Sequence, residues 1–174
     1  MSGIGIISQV VNCIGSAINM IGINIKDKRK VLLFFMFGNL CVAISLGLLS
    51  AKAGMYVQLI FVVESIINYF WEKKFEKYPI WLILLYVIIP CTILAFTYES
   101  MWDFLAITAS ILFPLALLSK NFKLRLLNLL SVVVWIPYNF HFGQYVGALS
   151  CLIFTIINII AIIRLDILKN KSKI

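Results

Sequence analysis

Glu64 is an ionisable side chain set deep inside an apolar run, and two stripes of amides, hydroxyls and large rings lie in other apolar runs of the same chain. Such groups carry the chemistry of holding a small polar solute, or of passing a proton beside one. The first stripe is Ser8, Gln9, Asn12, Ser16 and Asn19, which a helical step of 100° gathers into an arc of about 100°. The second is Asn128, Ser131, Trp135, Tyr138 and Asn139, a mix of amides, hydroxyls and rings suited to stacking on and hydrogen-bonding a flat or sugar-like molecule. Glu64 lies about 15 Å along a helix from Gly54, with Asn68 and Trp71 on its face at i+4 and i+7. It could orient a substrate or carry a proton. Asn12, Asn19, Glu64, Trp135, Tyr138 and Asn139 are therefore the candidate cavity-lining residues. The structural alternative for each is a hydrogen bond that holds two helices together.

Other chemistry finds little support. The sole histidine, His141, stands in a turn, and Cys13, Cys41, Cys91 and Cys151 occupy four separate apolar runs without C-x-x-C spacing, which suits packing rather than metal or disulfide chemistry. No H-E-x-x-H, Gly-x-Ser-x-Gly or nucleotide-binding glycine loop occurs, so neither an enzyme nor a cofactor is expected.

The elements that must position these residues follow from composition. Hydrophobic residues make up 63% of the 174, charged ones 13%, and the mean hydropathy is +1.04, far from a soluble domain with about one quarter charged residues. A hydrocarbon core of about 30 Å needs about twenty residues of helix. Seven spans satisfy this, near 4–24, 31–51, 54–71, 79–97, 102–119, 124–141 and 145–163. The charge-free stretch 126–163 would reach about 57 Å as one helix, so it folds back at the turn signals between Asn139 and Gly147. Pro90, Pro114 and Pro137 fall inside the fourth, fifth and sixth spans, where they kink or loosen a helix.

Of the 15 Lys and Arg residues, all but Lys52 flank alternate ends of these spans: Lys26 to Lys30, Lys73 to Lys77, Lys120 to Arg125, and Arg164 onward. Short basic loops stay cytoplasmic, which places the N-terminus outside and the C-terminus inside. The net charge of +8 is thereby spent on topology and on anionic headgroups rather than on nucleic acid.

With the fourth span set aside, spans one to three and five to seven run in the same direction. The expected architecture is an all-α membrane protein of two parallel three-helix bundles joined by a linker helix: 4–71, the linker 79–97, 102–163, and a basic tail at 164–174. Sliding the chain by 93 residues superposes Lys30 on Lys123, Leu33 on Leu126, Gly54 on Gly147, and Leu59, Ile60 and Phe61 on Leu152, Ile153 and Phe154. Internal repeats with a site between them are a transporter architecture.

The segment Trp135-Ile136-Pro137-Tyr138-Asn139-Phe140-His141-Phe142-Gly143, with Gly147 beyond, resembles the YgjV-type bacterial inner-membrane proteins, as do Lys123-Leu124-Arg125, Asn158 to Arg164 and Lys28-Arg29-Lys30. That resemblance covers most of the chain and implies a multi-pass protein of the bacterial plasma membrane. More distantly, Trp135-x-x-Tyr138 before a glycine-bearing turn is similar to the sixth helix of SWEET-type sugar facilitators, which share the 3+1+3 plan with PnuC-type vitamin-precursor transporters. The chain departs from the SWEET pattern at Ser150, where a pocket asparagine would stand, and in its first span, which has no proline.

These readings lead to a small transporter or facilitator that moves a polar solute of sugar, nucleoside or vitamin class by alternating access, with self-association left open. The rivals are a non-transporting scaffold, whose stripes would seal against each other, and an intramembrane enzyme, which would need a second catalytic group such as Tyr138 or His141 beside Glu64.

Overall fold

The computed structural model of the chain describes residues 2–163 except 24, 26, 75–78, 119 and 120. The expected basic tail at 164–174, with Lys26, Lys77 and Lys120, falls outside the described residues. Seven helices account for nearly all the rest: α1 Gly3–Ile23, α2 Lys28–Leu48, α3 Lys52–Lys74, α4 Ile80–Thr97, α5 Asp103–Leu118, α6 Asn121–His141 and α7 Tyr145–Ile162. Each matches one span expected from hydropathy. α1 to α4 are long and apolar enough to cross a bilayer, and the apolar parts of α5, α6 and α7 are shorter helices.

Local chemistry sets the boundaries. Asp27 caps α2 by accepting the Arg29 backbone N–H at 3.0 Å, which satisfies one of the donors a helix start leaves free. α2 and α6 both end in a residue of left-handed conformation, Ser50 at φ 59 and Gly143 at φ 70. In both turns a backbone N–H reaches five residues back, Ala51 to Leu46 O and Gln144 to Asn139 O, and the left-handed residue bonds Gly47 O or Phe140 O. That is the Schellman pattern, which closes the last turn of a helix and reverses the chain within three residues.

The two turns are spaced by the same 93 residues as the sequence matches, and so are the bounds of α2 and α6 and the starts of α3 and α7. α2 and α6 therefore share length and register, and the turns that follow them share their chemistry.

α1 packs on α2, α2 on α3, α3 on α5, α5 on α6, α6 on α7 and α7 on α1. The six helices close a ring. α4 stays outside it, against α3 and α5, with its apolar Leu84, Leu85, Ile88 and Ile89 exposed. Where α1 meets α2 the backbones approach closely: a Cβ on Gly15 would come within 2.7 Å of Gly38 O, and one on Gly22 within 2.7 Å of the Phe34 side chain. Small residues allow such contact where lipid supplies no hydrophobic drive.

Polarity is inverted relative to a soluble protein. Ser8, Asn12, Ser45, Gln58, Glu64, Asn139 and Gln144 are buried, while isoleucines and leucines of α1, α4 and α7 are exposed. An apolar outer surface with amides inside is what hydrocarbon solvent selects.

Candidate functional site

The ring encloses a cavity of about 170 Å3 whose wall takes residues from all six of its helices. Six carboxamides line it: Asn12 and Asn19 from α1, Asn39 from α2, Gln58 from α3, Asn128 and Asn139 from α6. Ser16, Ser131 and Ser150 add hydroxyls, and Trp135 with Phe35, Phe61, Phe113 and Phe154 supplies rings. The residues lining the cavity include no charged side chain.

Helical periodicity puts these groups inward. On α1, Asn12, Ser16 and Asn19 recur at i, i+4 and i+7, one stripe of the helix, and the Ser16 hydroxyl donates to Asn12 Oδ1 at 3.1 Å. Asn19 Nδ2 donates to Asn39 Oδ1 at 3.0 Å, fastening α1 to α2, and Asn128 Nδ2 donates to Asn158 Oδ1 at 3.2 Å, fastening α6 to α7. The Ser131 hydroxyl is spent on Ala109 O at 3.0 Å. Among the described residues, Asn19 Oδ1 and Gln58 Oε1 are buried with no hydrogen-bond partner, the first packed against Gly38.

Of the six candidates from sequence, Asn12, Asn19, Trp135 and Asn139 line this cavity, whereas Glu64 and Tyr138 do not. Glu64 is 2% exposed, and neither carboxyl oxygen has a hydrogen-bond partner among the described residues. Its face of α3 turns elsewhere: one turn on, Asn68 Oδ1 accepts the Tyr86 hydroxyl of α4 at 2.8 Å. Trp71, the next on that face, meets Trp81 of α4 edge to face at 5.9 Å. Gln58 lies six residues from Glu64, about 240° around the helix, so only one of the two can reach the cavity. Glu64, expected as a lining residue, is thus not among the residues that line this cavity.

Tyr138 is fully buried, and its hydroxyl accepts the Gly54 backbone N–H at 2.7 Å. Gly54 lies in the first turn of α3, where N–H groups lack intrahelical acceptors, so Tyr138 acts as a cap supplied from α6. The fit is close, since a Cβ on Gly54 would meet the Tyr138 ring at 2.6 Å.

Sequence reasoning passed over Asn39 and Gln58. Their signal was present: each is a strongly polar side chain in an apolar run with an aromatic at helical spacing, Phe35 and Phe61, which carries it to the same face.

Hydrogen bonds between the α1–α3 and α5–α7 halves of the ring, among the described residues, gather at one end. This is the charge-poor end, where α1, α3 and α7 begin. Gln9 Nε2 donates to Gly143 O at 2.7 Å, and Gln9 Oε1 accepts the Val146 N–H at 2.9 Å. Gln144, fully buried, donates through Nε2 to Ser8 Oγ at 3.2 Å and to Ser45 Oγ. The Gly54 to Tyr138 bond lies there too. Beside them an apolar cluster of Leu46, Ala51, Ala53, Val57, Ala106, Ala109 and Tyr138 fills the space between α2, α3, α5 and α6. Lys52 and Glu99 pair at 2.6 Å on the exposed rim, a contact of small energetic weight.

Among the described residues no group of three His, Cys, Asp or Glu side chains could hold a metal ion, and the four cysteines are free thiols. His141 stacks on Trp102, centroids 4.4 Å apart, where α5 begins and α6 ends.

The family model for Imp-YgjV, described as bacterial inner membrane protein, matches residues 6–169. The chain belongs to that family and is a multi-pass protein of the bacterial inner membrane. No curated protein and no solved structure matches it.

Proposed function

Taking membership of that inner-membrane family as the premise, we propose that the chain is a small transporter or facilitator, moving a polar solute by alternating access between the α1–α3 and α5–α7 halves of the ring. The observation that carries this reading is the cavity itself, which draws polar side chains from both halves and is latched between them at one end. Buried amides in a membrane protein are costly unless they bind each other or something that passes. Gln58 Oε1 has no hydrogen-bond partner among the described residues.

The repeat supports the same reading. Two units whose middle helices and following Schellman turns match at a spacing of 93 residues can rock against each other about a central site. Basic residues such as Arg29, Lys30 and Lys123, exposed at the far end, support a cytoplasmic side there, beside anionic headgroups, by the positive-inside rule. The latched end then faces out, and the conformation described is one closed to the outside. α4 serves as the linker that returns the chain for a second parallel triplet.

Cys151 lines the cavity, which gives a native reporter. With Cys13, Cys41 and Cys91 replaced by Ala, Cys151 should react with small membrane-impermeant thiosulfonates added to either face of sealed vesicles. Reaction from neither face, with full reaction after denaturation, is the result expected of a sealed scaffold and would refute transport.

A further inference from the structure

We infer that the solute is an uncharged molecule of about one ring, and that it donates a hydrogen bond, through an O–H or N–H group, to Gln58 in the carboxamide wall of the cavity. The inference rests on the transport reading of that cavity and names the class of molecule it takes.

Size comes first. A cavity of about 170 Å3 is close to the ~150 Å3 engineered space that holds benzene, so one ring fills it. The faces offered to that ring are Trp135 and the phenylalanines, with Phe61 and Phe113 paired across α3 and α5 at 5.1 Å. An aromatic or C–H-bearing flat face can lie against these, whereas an open, fully hydrated chain gains little from them.

Charge comes next. The lining residues carry none, and Glu64, the ionisable side chain nearest this depth in sequence terms, sits on another face of α3. An ion entering this space would shed its water with nothing of opposite sign to meet it, which membrane interiors penalise strongly. A neutral solute escapes that penalty.

The donor requirement follows from Gln58. Asn19 gives its amide N–H to Asn39, and its Oδ1 is packed against Gly38 in the α1–α2 contact, so that oxygen is not offered to a solute. Gln58, 8% exposed, lines the cavity with an Oε1 that has no hydrogen-bond partner among the described residues. Such an oxygen is satisfied only by a group that donates. A solute with acceptors alone would leave it unpaired.

The test uses the full chain with Cys13, Cys41 and Cys91 replaced by Ala, purified in detergent, and reads protection of Cys151 from a small maleimide. The probes are two ring families at millimolar concentration: glucose, glucuronate and fully O-methylated glucose for O–H donors, and uracil, orotate and N,N-dimethyluracil for N–H donors. The expected result is that glucose or uracil slows labelling while its charged and its donor-capped congeners are weaker by about tenfold or more, the scale of a lost hydrogen bond to a buried group. Gln58→Leu should weaken the protecting probe by a similar factor. Which family protects decides between hydroxyl and ring N–H donors.

Equal protection by a charged congener would overturn the neutral class. Equal protection by a capped congener would overturn the donor requirement, and that comparison holds on the protein with Gln58 intact even if Gln58→Leu fails to fold. Free labelling of Cys151 with no protection by any probe would overturn the solute class and leave the cavity standing. A Cys151 that reacts only after denaturation would overturn the cavity reading itself.

Discussion

Removing the Gln144 amide should open the path to Cys151 from outside, and the size of the effect can be worked from the latch. Gln144 Nε2 donates to Ser8 Oγ and Ser45 Oγ from a fully buried position. Replacing it by Leu keeps most of the volume and deletes both bonds. The serines are not orphaned by the change, because the Ser8 hydroxyl donates to Ser45 O and the Ser45 hydroxyl to Ser8 O, both at 2.9 Å. The loss is therefore about two ordinary hydrogen bonds at roughly 0.5–1.5 kcal/mol each, offset in part because the buried Gln144 Oε1, which has no partner among the described residues, leaves with the side chain; at most about 3 kcal/mol is removed from the state closed at this end. At about 1.4 kcal/mol per factor of ten, the open population rises by up to roughly 150-fold. The assay is the rate at which an impermeant thiosulfonate modifies Cys151 in right-side-out vesicles, in the background lacking the other three cysteines. The rate should rise by that factor with Gln144→Leu, and further when Gln9→Leu removes the bonds to Gly143 O and Val146 N–H. An unchanged rate in a folded variant would show that these bonds do not latch the two halves.

The remaining predictions concern the helices that frame the cavity. Tyr138→Phe strips the acceptor from the buried Gly54 N–H and should cost about 1–3 kcal/mol, read as a lowered unfolding temperature in detergent; no change would mean that water or another group caps α3. Glu64→Leu removes a buried carboxyl with no hydrogen-bond partner and should raise stability by about 1–3 kcal/mol while leaving protection of Cys151 by solute intact; a loss of that protection would return Glu64 to the site. Gly15→Leu must push α1 off Gly38, whose carbonyl a Cβ would already meet at 2.7 Å, and should destabilise the protein by about 1–3 kcal/mol, with a drop in folded yield on size-exclusion chromatography; a normal profile would refute close α1–α2 contact.

Much of the architecture was legible because the solvent is hydrocarbon. Span length, loop charge and the turn signals of Asn139 to Gly147 each answer to one physical demand, so the seven helices lie where hydropathy put them. The α1 stripe was equally readable, since polar groups at i, i+4 and i+7 have only one direction to face. What periodicity cannot give is the rotation of one helix against its neighbours. Glu64 drew attention as an ionisable residue, yet Asn68 and Trp71 bind α4 and turn that face away from the cavity. Gln58 points inward by default. Tyr138 likewise had the right chemistry to line a pocket, but the bare N–H of Gly54, visible only once α3 and α6 are side by side, claims its hydroxyl. The donor required of a solute was also hidden, because it depends on which amide oxygens the neighbouring helices leave unpaired.

The Schellman turns offer a test of the repeat that does not depend on any solute. Ser50 and Gly143 hold the same left-handed place in the two halves, at φ 59 and φ 70, with the same pair of backbone bonds around them. Glycine suits that conformation, and an L-residue with a Cβ costs about 1–2 kcal/mol there. Ser50 is exposed, and none of the turn's bonds runs through its side chain. Ser50→Gly should therefore stabilise the protein by about 0.5–1 kcal/mol once the entropy of the freer unfolded chain is deducted. Gly143→Ser should destabilise it by about 1 kcal/mol, since the Cβ would meet nothing within 4 Å and only the backbone preference acts. The swap is a matched pair, read as opposite shifts in unfolding temperature. Loss of stability in Ser50→Gly would show that the serine does work of its own in the first turn. The two halves would then be alike in shape while resting on different local physics, and the residue facing Gln144 in the repeat, Ala51, already differs in kind. The counterparts of Ser8 and Ser45, Met101 and Tyr138, differ as well, so the hydroxyl pair that receives Gln144 exists in one half alone, and a symmetric frame carries a latch that its first turn does not repeat.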